Sequence, residues 1–434
     1  MDRSFHLRRD GALTLVTNGL TLVLTLASGM LVARILGPSG RGELTAILNV
    51  AQLLGWTFGL ACGQAVGYHQ ARHPEQAAQL LGTWLSIAVP LMAVAVLCGE
   101  VLLPMVLAAQ SPQALALARV FLGTLGLTLI SDLLYGILLG DHDFVFFNLM
   151  RPAQPAVTVM LYLALSHSVG LTVGRALAAT TVAMLLCVGV AAGRAIRRFG
   201  LRAPDLGLAR ATLWYGLCAH GINLGHLVQA RLDMLIMPAF LSAASMGLYA
   251  VATSVSWMVV TLSGTLAILV LPAAARRGKA GTDAIVGSLQ ATLAIGTALA
   301  VVLELFADVG VRLVYGAAFA GGVTPLRLLL PGTVLYVATG VLCSGLLAVT
   351  RPLTAAATQL PGIVVTAVGL ALFLRTGGIM AAALVSTVAY AVTFVTALVL
   401  YRRATGLAWR EFIPRSHAWR PVEATELQVK LIHG

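Results

Sequence analysis

Charged side chains are scarce in this sequence. Asp, Glu, Lys and Arg make up 10% of the chain and hydrophobic residues 59%, whereas an ordinary soluble domain has about 25% charged residues. The mean hydropathy is +0.92. This balance excludes an ordinary soluble domain and predicts an all-α membrane protein that crosses the bilayer many times.

Cysteine is infrequent, and several sequence signatures are absent. The five cysteines lie scattered inside apolar runs without metal-ligand spacing, which excludes a disulfide framework and a zinc site. The chain also lacks a P-loop, an HExxH sequence, a nucleophile elbow and an extramembrane stretch large enough for a catalytic domain. We therefore expect a secondary transporter that is not an enzyme and uses no metal and no cofactor.

Twelve apolar runs have lengths near the roughly 20 residues that a bilayer requires. They span residues 12-33, 44-67, 82-107, 115-139, 152-167, 172-193, 211-241, 246-272, 284-307, 326-349, 354-374 and 378-401. The sequence predicts about twelve transmembrane helices. Because the first run is full length, we interpret it as a signal anchor and not as a cleaved signal peptide.

The net charge of +12 does not indicate nucleic-acid binding, because the basic residues lie in the connections between apolar runs. If the N-terminus is cytoplasmic, 20 Lys and Arg fall on the cytoplasmic side and 7 on the other. The positive-inside rule then predicts that both termini are cytoplasmic. The loop 194-210 has five arginines, and we expect it to lie on anionic membrane lipids.

The arginine-rich loop also divides the runs six and six. Because six is even, both halves begin on the same side, which permits a parallel repeat about an axis along the membrane normal with the substrate site between the halves. A short polar break and a glycine, Gly42 or Gly247, occur between the first two helices of each half. We predict an N-terminal lobe at 1-200, a C-terminal lobe at 201-401 and a basic cytoplasmic tail at 402-434.

Polar residues form a stripe along the first predicted helix. Asn18, Thr21 and Thr25 continue a spacing of three and four that places them on one face. Such a stripe favours either hydrogen bonding to a neighbouring helix or the lining of a cavity for a polyol such as a sugar. On the eighth helix, Trp257 belongs to a similar polar face that we expect opposite this stripe.

The second predicted helix has two distinct faces. Glycine recurs at every fourth position from Gly55 to Gly67, which predicts an edge that a neighbouring helix can approach closely. Asn49 and Gln52 lie on a separate polar and aromatic face with Trp56. That face is suited to a sugar ring, although an interfacial or packing role is equally compatible with the pattern.

An arginine and an aspartate interrupt the seventh apolar run. An ionised side chain near a membrane helix centre costs roughly 2.5 to 3.5 kcal/mol, and Arg231 and Asp233 lie about 200° apart around a helix, so neither neutralises the other. We expect Arg231 to face a central cavity together with His220 and Asn223 and to bind a phosphate. The alternative is that Arg231 pairs with an acid on a neighbouring helix.

Other acids also lie within the apolar runs. We expect the Asp233 face, with His226 and Gln229, to be held inside its own half. Asp132 is the deepest of the remaining membrane acids, and both aspartates are candidates for gating or for coupling to an ion. Glu100 and Glu304 are expected near the outer interface.

Several stretches together resemble the polysaccharide-export flippases of the multidrug/oligosaccharidyl-lipid/polysaccharide (MOP) transporter superfamily. They are VARILGPSGRGEL at 32-44, RLDMLIMPAFLSAASMGLYAVA at 231-252, VLPAAARR at 270-277, VYGAAFAGGVTPLRLLLPG at 314-332 and GGIMAAALVSTVAY at 377-390. The resemblance covers nearly the whole chain.

This resemblance implies a V-shaped bundle of two six-helix lobes in the bacterial inner membrane. It implies alternating-access transport of undecaprenyl-diphosphate-linked oligosaccharide, with Arg231 as the diphosphate anchor, Arg34 and Arg41 at the outer gate, and other polysaccharide-assembly membrane proteins as partners. Two aspartates in the loop DHDFVFFNLMRP depart from the family pattern. A cation-coupled multidrug exporter, a membrane glycan polymerase or ligase, and a passive scaffold remain the alternatives.

Overall fold

The computed structural model describes residues 2–275, 280–349 and 352–412. Within them, the side chains of residues 2–12, 15, 222, 223, 264–275, 280, 281 and 352 are not described. No strand occurs in these ranges, which confirms the predicted all-α class. The helices are α1 Asp2–Phe58, α2 Cys62–Arg72, α3 Ala77–Val106, α4 Pro112–Leu122, α5 Leu125–Gly140, α6 Phe144–Ser168, α7 Val173–Phe199, α8 Leu206–Ile236, α9 Ala243–Ala275, α10 Ala280–Val314, α11 Val323–Ala348, α12 Pro352–Ala357 and α13 Leu360–Thr405.

These helices make twelve passages. The longest two, α1 and α13, each contain a sharp kink at a glycine with positive φ, Gly37 (φ 67°) and Gly378 (φ 56°), and so each makes two passages. The second passage continues as α2, and α4 and α5 together form the fourth. Eight stretches of the described residues are long and apolar enough to cross a membrane. The chain is therefore a multi-pass membrane protein.

Successive turns alternate between two faces of the molecule. One contains Gly37, Gly378 and the connections at 107–111, 169–172 and 240–242. We call it the kink face. The other contains the turns at 141–143 and 200–205 and the end of α13 at Thr405. We call it the N-terminal face, since α1 begins there.

Three passages are interrupted where the sequence predicted continuous helices at 44-67, 115-139 and 354-374. The second breaks between Phe58 and Cys62, the fourth between α4 and α5, and the eleventh between α12 and α13. At the first of these breaks Leu60 (φ 47°) and Ala61 (φ 49°) adopt left-handed conformations. Neither leucine nor alanine is a residue type that predicts a left-handed break in a helix. The Leu60 carbonyl packs against Gly216 on α8. A Cβ added at Gly216 would lie 2.6 Å from that carbonyl oxygen.

The predicted glycine edge packs closely on α5. A Cβ at Gly63 would lie 2.9 Å from the Asp132 carbonyl oxygen, and one at Gly67 would lie 3.0 Å from the Gly136 carbonyl oxygen. Because these contacts involve backbone atoms, larger side chains cannot be accommodated by rotamer changes. The edge is confirmed as a packing surface.

The predicted loop 194-210 is wrong in its extent. The helix α7 continues to Phe199, only residues 200–205 are extended, and Asp205 caps α8 by accepting a 2.7 Å hydrogen bond from the Leu208 N–H. Arg194 and Arg198 therefore lie on α7, where they pair with Asp143 and Asp141. The aspartates that depart from the family pattern are thus partners of these arginines.

Matching ion pairs occur in the two halves. Glu100 and Arg119 join the third and fourth passages with a 3.2 Å contact, and Glu304 and Arg327 join the ninth and tenth at the same distance. These equivalent contacts support the parallel repeat. The chain division at 200/201 lies in the extended connector, whose Arg202 N–H donates to the Ala78 carbonyl in the first half. The lobe boundaries stay a prediction, and the predicted tail lies outside the described residues beyond position 412.

Candidate functional site

A central cavity of about 700 Å³ lies between the halves. Its walls come mainly from both arms of α1, from α8 and from α9, which are the first, second, seventh and eighth passages. Seven of the nine predicted substrate-binding residues line it: Asn18, Thr21, Thr25, Asn49, Gln52, Arg231 and Trp257. Their roles remain predictions, but the structure brings these side chains together.

One wall of the central cavity is rich in hydroxyl and amide groups. Thr21 donates its hydroxyl proton to the Thr17 carbonyl at 2.7 Å, so its oxygen can still accept a hydrogen bond. Asn18 Oδ1 and Thr45 Oγ1 are buried and have no hydrogen-bond partner among the described residues. Buried polar atoms without partners are costly. A polar ligand would satisfy them.

Arg231 provides a cationic group in the opposite wall. Its guanidinium lies over the Trp257 ring, 4.9 Å from the ring centroid. Within the described part of the chain, no Asp or Glu oxygen lies within 4 Å of it. The alternative in which Arg231 pairs with an acid on a neighbouring helix is therefore wrong for these residues. A guanidinium stacked on one face keeps its edge free for a bidentate anion contact.

Two further arginines line the same cavity. Arg41, expected at the outer gate, reaches Ser254 with a 3.3 Å hydrogen bond, and its buried Nε has no partner among the described residues. Arg151 on α6 lies over the Phe147 ring at 5.7 Å. Arg151 lies between the fourth and fifth apolar runs, a position that does not by itself predict a side chain lining the cavity.

The central cavity is closed toward the kink face by two reciprocal glycine contacts. A Cβ on Gly42 would lie 1.8 Å from the Ala243 carbonyl oxygen, and one on Gly247 would lie 1.9 Å from the Pro38 carbonyl oxygen. Gln110 adds hydrogen bonds of 2.9 and 2.8 Å to the Pro238 and Leu241 carbonyls. The halves are thus in backbone contact at this face.

The kink face also contains Arg34. Its Nε donates a 2.8 Å hydrogen bond to the Val314 carbonyl at the end of α10, and its Nη2 contacts the Leu313 carbonyl. Arginine contributes favourably at a helix C-terminus because the last carbonyls lack intrahelical partners. Arg34 therefore joins the halves outside the cavity, at a position compatible with a gate.

Asp233 is held inside the second half. Its carboxylate accepts hydrogen bonds from the Tyr249 hydroxyl at 2.5 Å, the Ser386 hydroxyl at 3.1 Å and the Met234 N–H at 2.7 Å. The side chain is buried, away from the central cavity. Asp233 therefore lies inside its own half, as its helix face predicted. Its role in gating or coupling stays a prediction.

A second cavity of about 430 Å³ contains two of the other predicted residues. His220, expected beside Arg231, lines this cavity together with Asp132. His220 and Arg231 are eleven positions apart on α8, which is about 16 Å along the helix axis. Two residues on the same face of a helix can therefore lie in different cavities. The Asn223 side chain lies outside the described residues.

The fold is similar to that of several solved transporters. No protein-family model matches the sequence, and no curated protein matches it. A structure titled lipid II flippase MurJ in an inward closed conformation superposes with a TM-score of 0.77 at 14% identity, covering 92% of this chain and 89% of that one.

Two multidrug transporter structures are also similar. An inward-facing MATE family transporter of the MOP superfamily has a TM-score of 0.69 at 16% identity, over 92% of this chain and 99% of that one. The MATE multidrug transporter DinF-BH has a TM-score of 0.69 at 14% identity, over 93% of this chain and 96% of that one. The chain therefore has the fold shared by the MurJ lipid II flippase and the MATE transporters of the MOP superfamily.

Proposed function

We propose that this protein is a flippase for undecaprenyl-diphosphate-linked oligosaccharide repeat units used in surface polysaccharide synthesis. The observation that carries the proposal is the composition of the central cavity. Arg41, Arg151 and Arg231 line it, and no Asp or Glu is among its lining residues. A membrane cavity with three cations and no acid favours an anionic substrate.

The cavity also matches the two chemical parts of such a substrate. Arg231 and Arg41 supply guanidinium groups for the diphosphate. The hydroxyl and amide wall on α1 supplies donors and acceptors for sugar hydroxyls. We assign Asn18, Thr21, Thr25, Asn49 and Gln52 to the glycan and Trp257 to the positioning of Arg231.

The closed kink face is compatible with alternating access as the transport mechanism. In this state, substrate enters from the N-terminal face, which we propose is cytoplasmic in the bacterial inner membrane, as the distribution of arginines favours. Separation of Gly42 from Ala243 and of Gly247 from Pro38 then opens the kink face. Arg34 acts at that gate. Anionic lipids and other polysaccharide-assembly membrane proteins are the proposed partners, and nucleic acid is not one.

A cation-coupled multidrug exporter is the second candidate, because the similar structures include MATE transporters. A cationic drug would meet three arginines in the central cavity, which opposes its binding. The carboxylates Asp132 and Asp233 lie outside that cavity. The central cavity therefore favours the flippase.

The test is the leaflet distribution of undecaprenyl-diphosphate-linked glycan in cells with and without the protein. We expect the glycan to accumulate on the cytoplasmic leaflet in the null strain and in an Arg231→Ala strain. Arg403→Ala is the matched control, because Arg403 is exposed at the end of α13. A normal distribution in the null strain, together with altered sensitivity to cationic drugs, would favour the exporter.

A further inference from the structure

The second cavity lies next to the central one along two shared helices. On the second arm of α1, Asn49 and Gln52 line the central cavity, and Trp56, one turn further on the same helix face, lines the second. On α8, Arg231 lines the central cavity and His226 lines the second. The second cavity is therefore the next space toward the N-terminal face for a ligand that fills the central cavity.

Trp56 provides an aromatic surface that no protein group covers. Its indole N–H forms no hydrogen bond, and its ring stacks on no aromatic or cationic side chain that the structure describes. By comparison, the Trp257 ring in the central cavity is covered by the Arg231 guanidinium. The face of an aromatic ring is electron-rich and attracts the polarised C–H groups of a sugar ring. The Trp56 ring is thus available for stacking on a sugar.

Asp132 provides a carboxylate that also lacks a protein partner. It lines the cavity from α5 and forms no hydrogen bond and no ion pair with any other residue in the described ranges. By contrast, three donors surround Asp233. An uncompensated carboxylate is costly inside a membrane protein. Two neighbouring hydroxyls of a sugar can both donate to one carboxylate through charge-assisted hydrogen bonds.

The facing wall belongs to the second half and adds neutral acceptors. Gln359 is 2% exposed, and its Nε2 donates to Thr358 Oγ1 at 3.1 Å, whereas its Oε1 faces the His226 ring without a well-aligned hydrogen bond. Ser344 Oγ donates to the Gly340 carbonyl at 2.9 Å, so its oxygen can still accept. Both oxygens are suited to hydroxyl donors of a ligand.

The charge and size of the second cavity restrict what it can hold. Its lining contains neither Lys nor Arg, and Asp132 is its single Asp or Glu, so an anionic group is disfavoured there. No group of three His, Cys, Asp or Glu side chains in the described residues could hold a metal ion. The volume of about 430 Å³ falls within the range of small-molecule sites. An aromatic ring, a carboxylate and neutral acceptors together favour a non-acidic polyol.

We propose that the second cavity is a subsite for a non-acidic sugar of the transported glycan, which stacks on Trp56 and donates hydroxyl hydrogen bonds to Asp132. The inference rests on the proposed function, which supplies the glycan. A diphosphate at Arg231 and a sugar beside His220 lie roughly 16 Å apart along α8. One sugar ring does not span that distance, so the substrate that fills both cavities has a headgroup of several sugars.

The binding experiment uses the purified full-length protein in detergent micelles. The probes are the methyl glycosides of glucose, galactose, mannose and N-acetylglucosamine, with glucuronate as the acidic comparison. Saturation-transfer NMR detects weak binding of each sugar. Six tryptophans contribute to the emission, so the part of an emission change that Trp56→Phe removes reports on the second cavity. We expect at least one neutral glycoside to produce this part saturably and glucuronate not to produce it.

Asp132→Asn is expected to weaken the affinity for the responding glycoside roughly tenfold, because a neutral amide replaces charge-assisted hydrogen bonds. The matched control is Asp308→Asn, which also removes one carboxylate but from an exposed i,i+4 pair with Arg312. Trp56→Phe keeps an aromatic ring, so sugar binding measured by NMR is expected to persist in it. This variant localises the sugar even if Asp132→Asn does not fold.

The leaflet assay connects the subsite to transport. We expect undecaprenyl-diphosphate-linked glycan to accumulate on the cytoplasmic leaflet in Trp56→Ala and Asp132→Asn strains. The proposal is overturned if no neutral glycoside changes the Trp56 emission, if Asp132→Asn binds with wild-type affinity, or if the Trp56→Ala strain has a normal distribution. Accumulation in Asp132→Asn with unchanged sugar binding would assign Asp132 to coupling instead. Failure of the proposed function is a separate result, since the null strain itself would then have a normal distribution.

Discussion

Asp233 is a buried carboxylate whose environment was built by residues far away in the chain. Tyr249 comes from α9 and Ser386 from α13, and both hydroxyls donate to the same carboxylate oxygen. Charge-assisted hydrogen bonds of this kind are stronger than neutral ones. Removing one donor leaves the charge less compensated, with the full desolvation cost still present.

Tyr249→Phe is therefore expected to destabilise the protein by about 1–3 kcal/mol, the usual cost of an unsatisfied buried polar group. Thermal unfolding in detergent measures the change. Tyr68→Phe is the control. The half-exposed Tyr68 ring stacks on Tyr215 with 4.4 Å between the ring centroids, and its hydroxyl forms no hydrogen bond with any residue that the structure describes. Equal shifts for both variants would contradict the importance of the Asp233 hydrogen bond.

Arg231→Lys tests geometry separately from charge. Lysine keeps the positive charge but has no planar fork for a bidentate contact, and it stacks less favourably on Trp257. We expect glycan translocation to fall by roughly tenfold or more, the effect of about 1.4 kcal/mol of lost differential binding. Normal transport in both Arg231→Lys and Arg231→Ala, measured by the leaflet assay, would eliminate the anion anchor.

At the scale of elements, the contact of α1 with α9 at the kink face depends on two glycines. Gly42 and Gly247 each meet a backbone carbonyl at a distance that no Cβ can occupy. Gly42 faces Ala243, the first residue of α9, and Gly247 faces Pro38, the first residue of the second arm of α1, so one contact repeats the other about the axis between the halves. Backbone cannot yield as a flexible side chain does.

Replacing Gly42 or Gly247 by alanine is expected to separate α1 from α9 at the kink face. A Ser254→Cys reporter in the central cavity should then react faster with a membrane-impermeant thiol reagent from that face. Gly287→Ala is the control, since a Cβ at Gly287 on α10 meets nothing within 4 Å. If the labelling rate is the same in Gly42→Ala and Gly287→Ala, the proposed gate is wrong.

For the whole molecule, the two cavities separate charges of opposite sign. The central cavity has three arginines, and the second has Asp132 with neither Lys nor Arg in its lining. This separation keeps the carboxylate of the second cavity away from the arginines of the central one. It also explains how a chain with only 10% charged residues still forms two charged interiors.

This charge distribution predicts ligand preference in the purified protein. Pyrophosphate is expected to raise the melting temperature in wild type and less in Arg231→Ala, because a ligand that binds the native state stabilises it more when it binds more tightly. A cationic dye of similar size is expected to have no such effect. Stabilisation by the dye and none by pyrophosphate would reverse the assignment of the central cavity.

Much of the central cavity could be predicted from periodicity. The polar stripe of the first arm of α1, the Asn49 and Gln52 face and Trp257 each obey helical spacing, and all line the same cavity. His220 was misplaced because angular position says nothing about depth along an axis. Arg151 was missed because the inward turn of α6 depends on its packing against α1.

The sequence by itself determined the class of the protein, the number of passages and the residues that could form polar faces, because membrane solvation imposes length and periodicity on every segment. Tertiary structure alone decided which faces meet. The break at Leu60 and Ala61, the division into two cavities and the closed kink face depend on contacts between distant segments. Local secondary-structure propensity cannot predict these contacts, since each contact is stable only when its partner helix is in place.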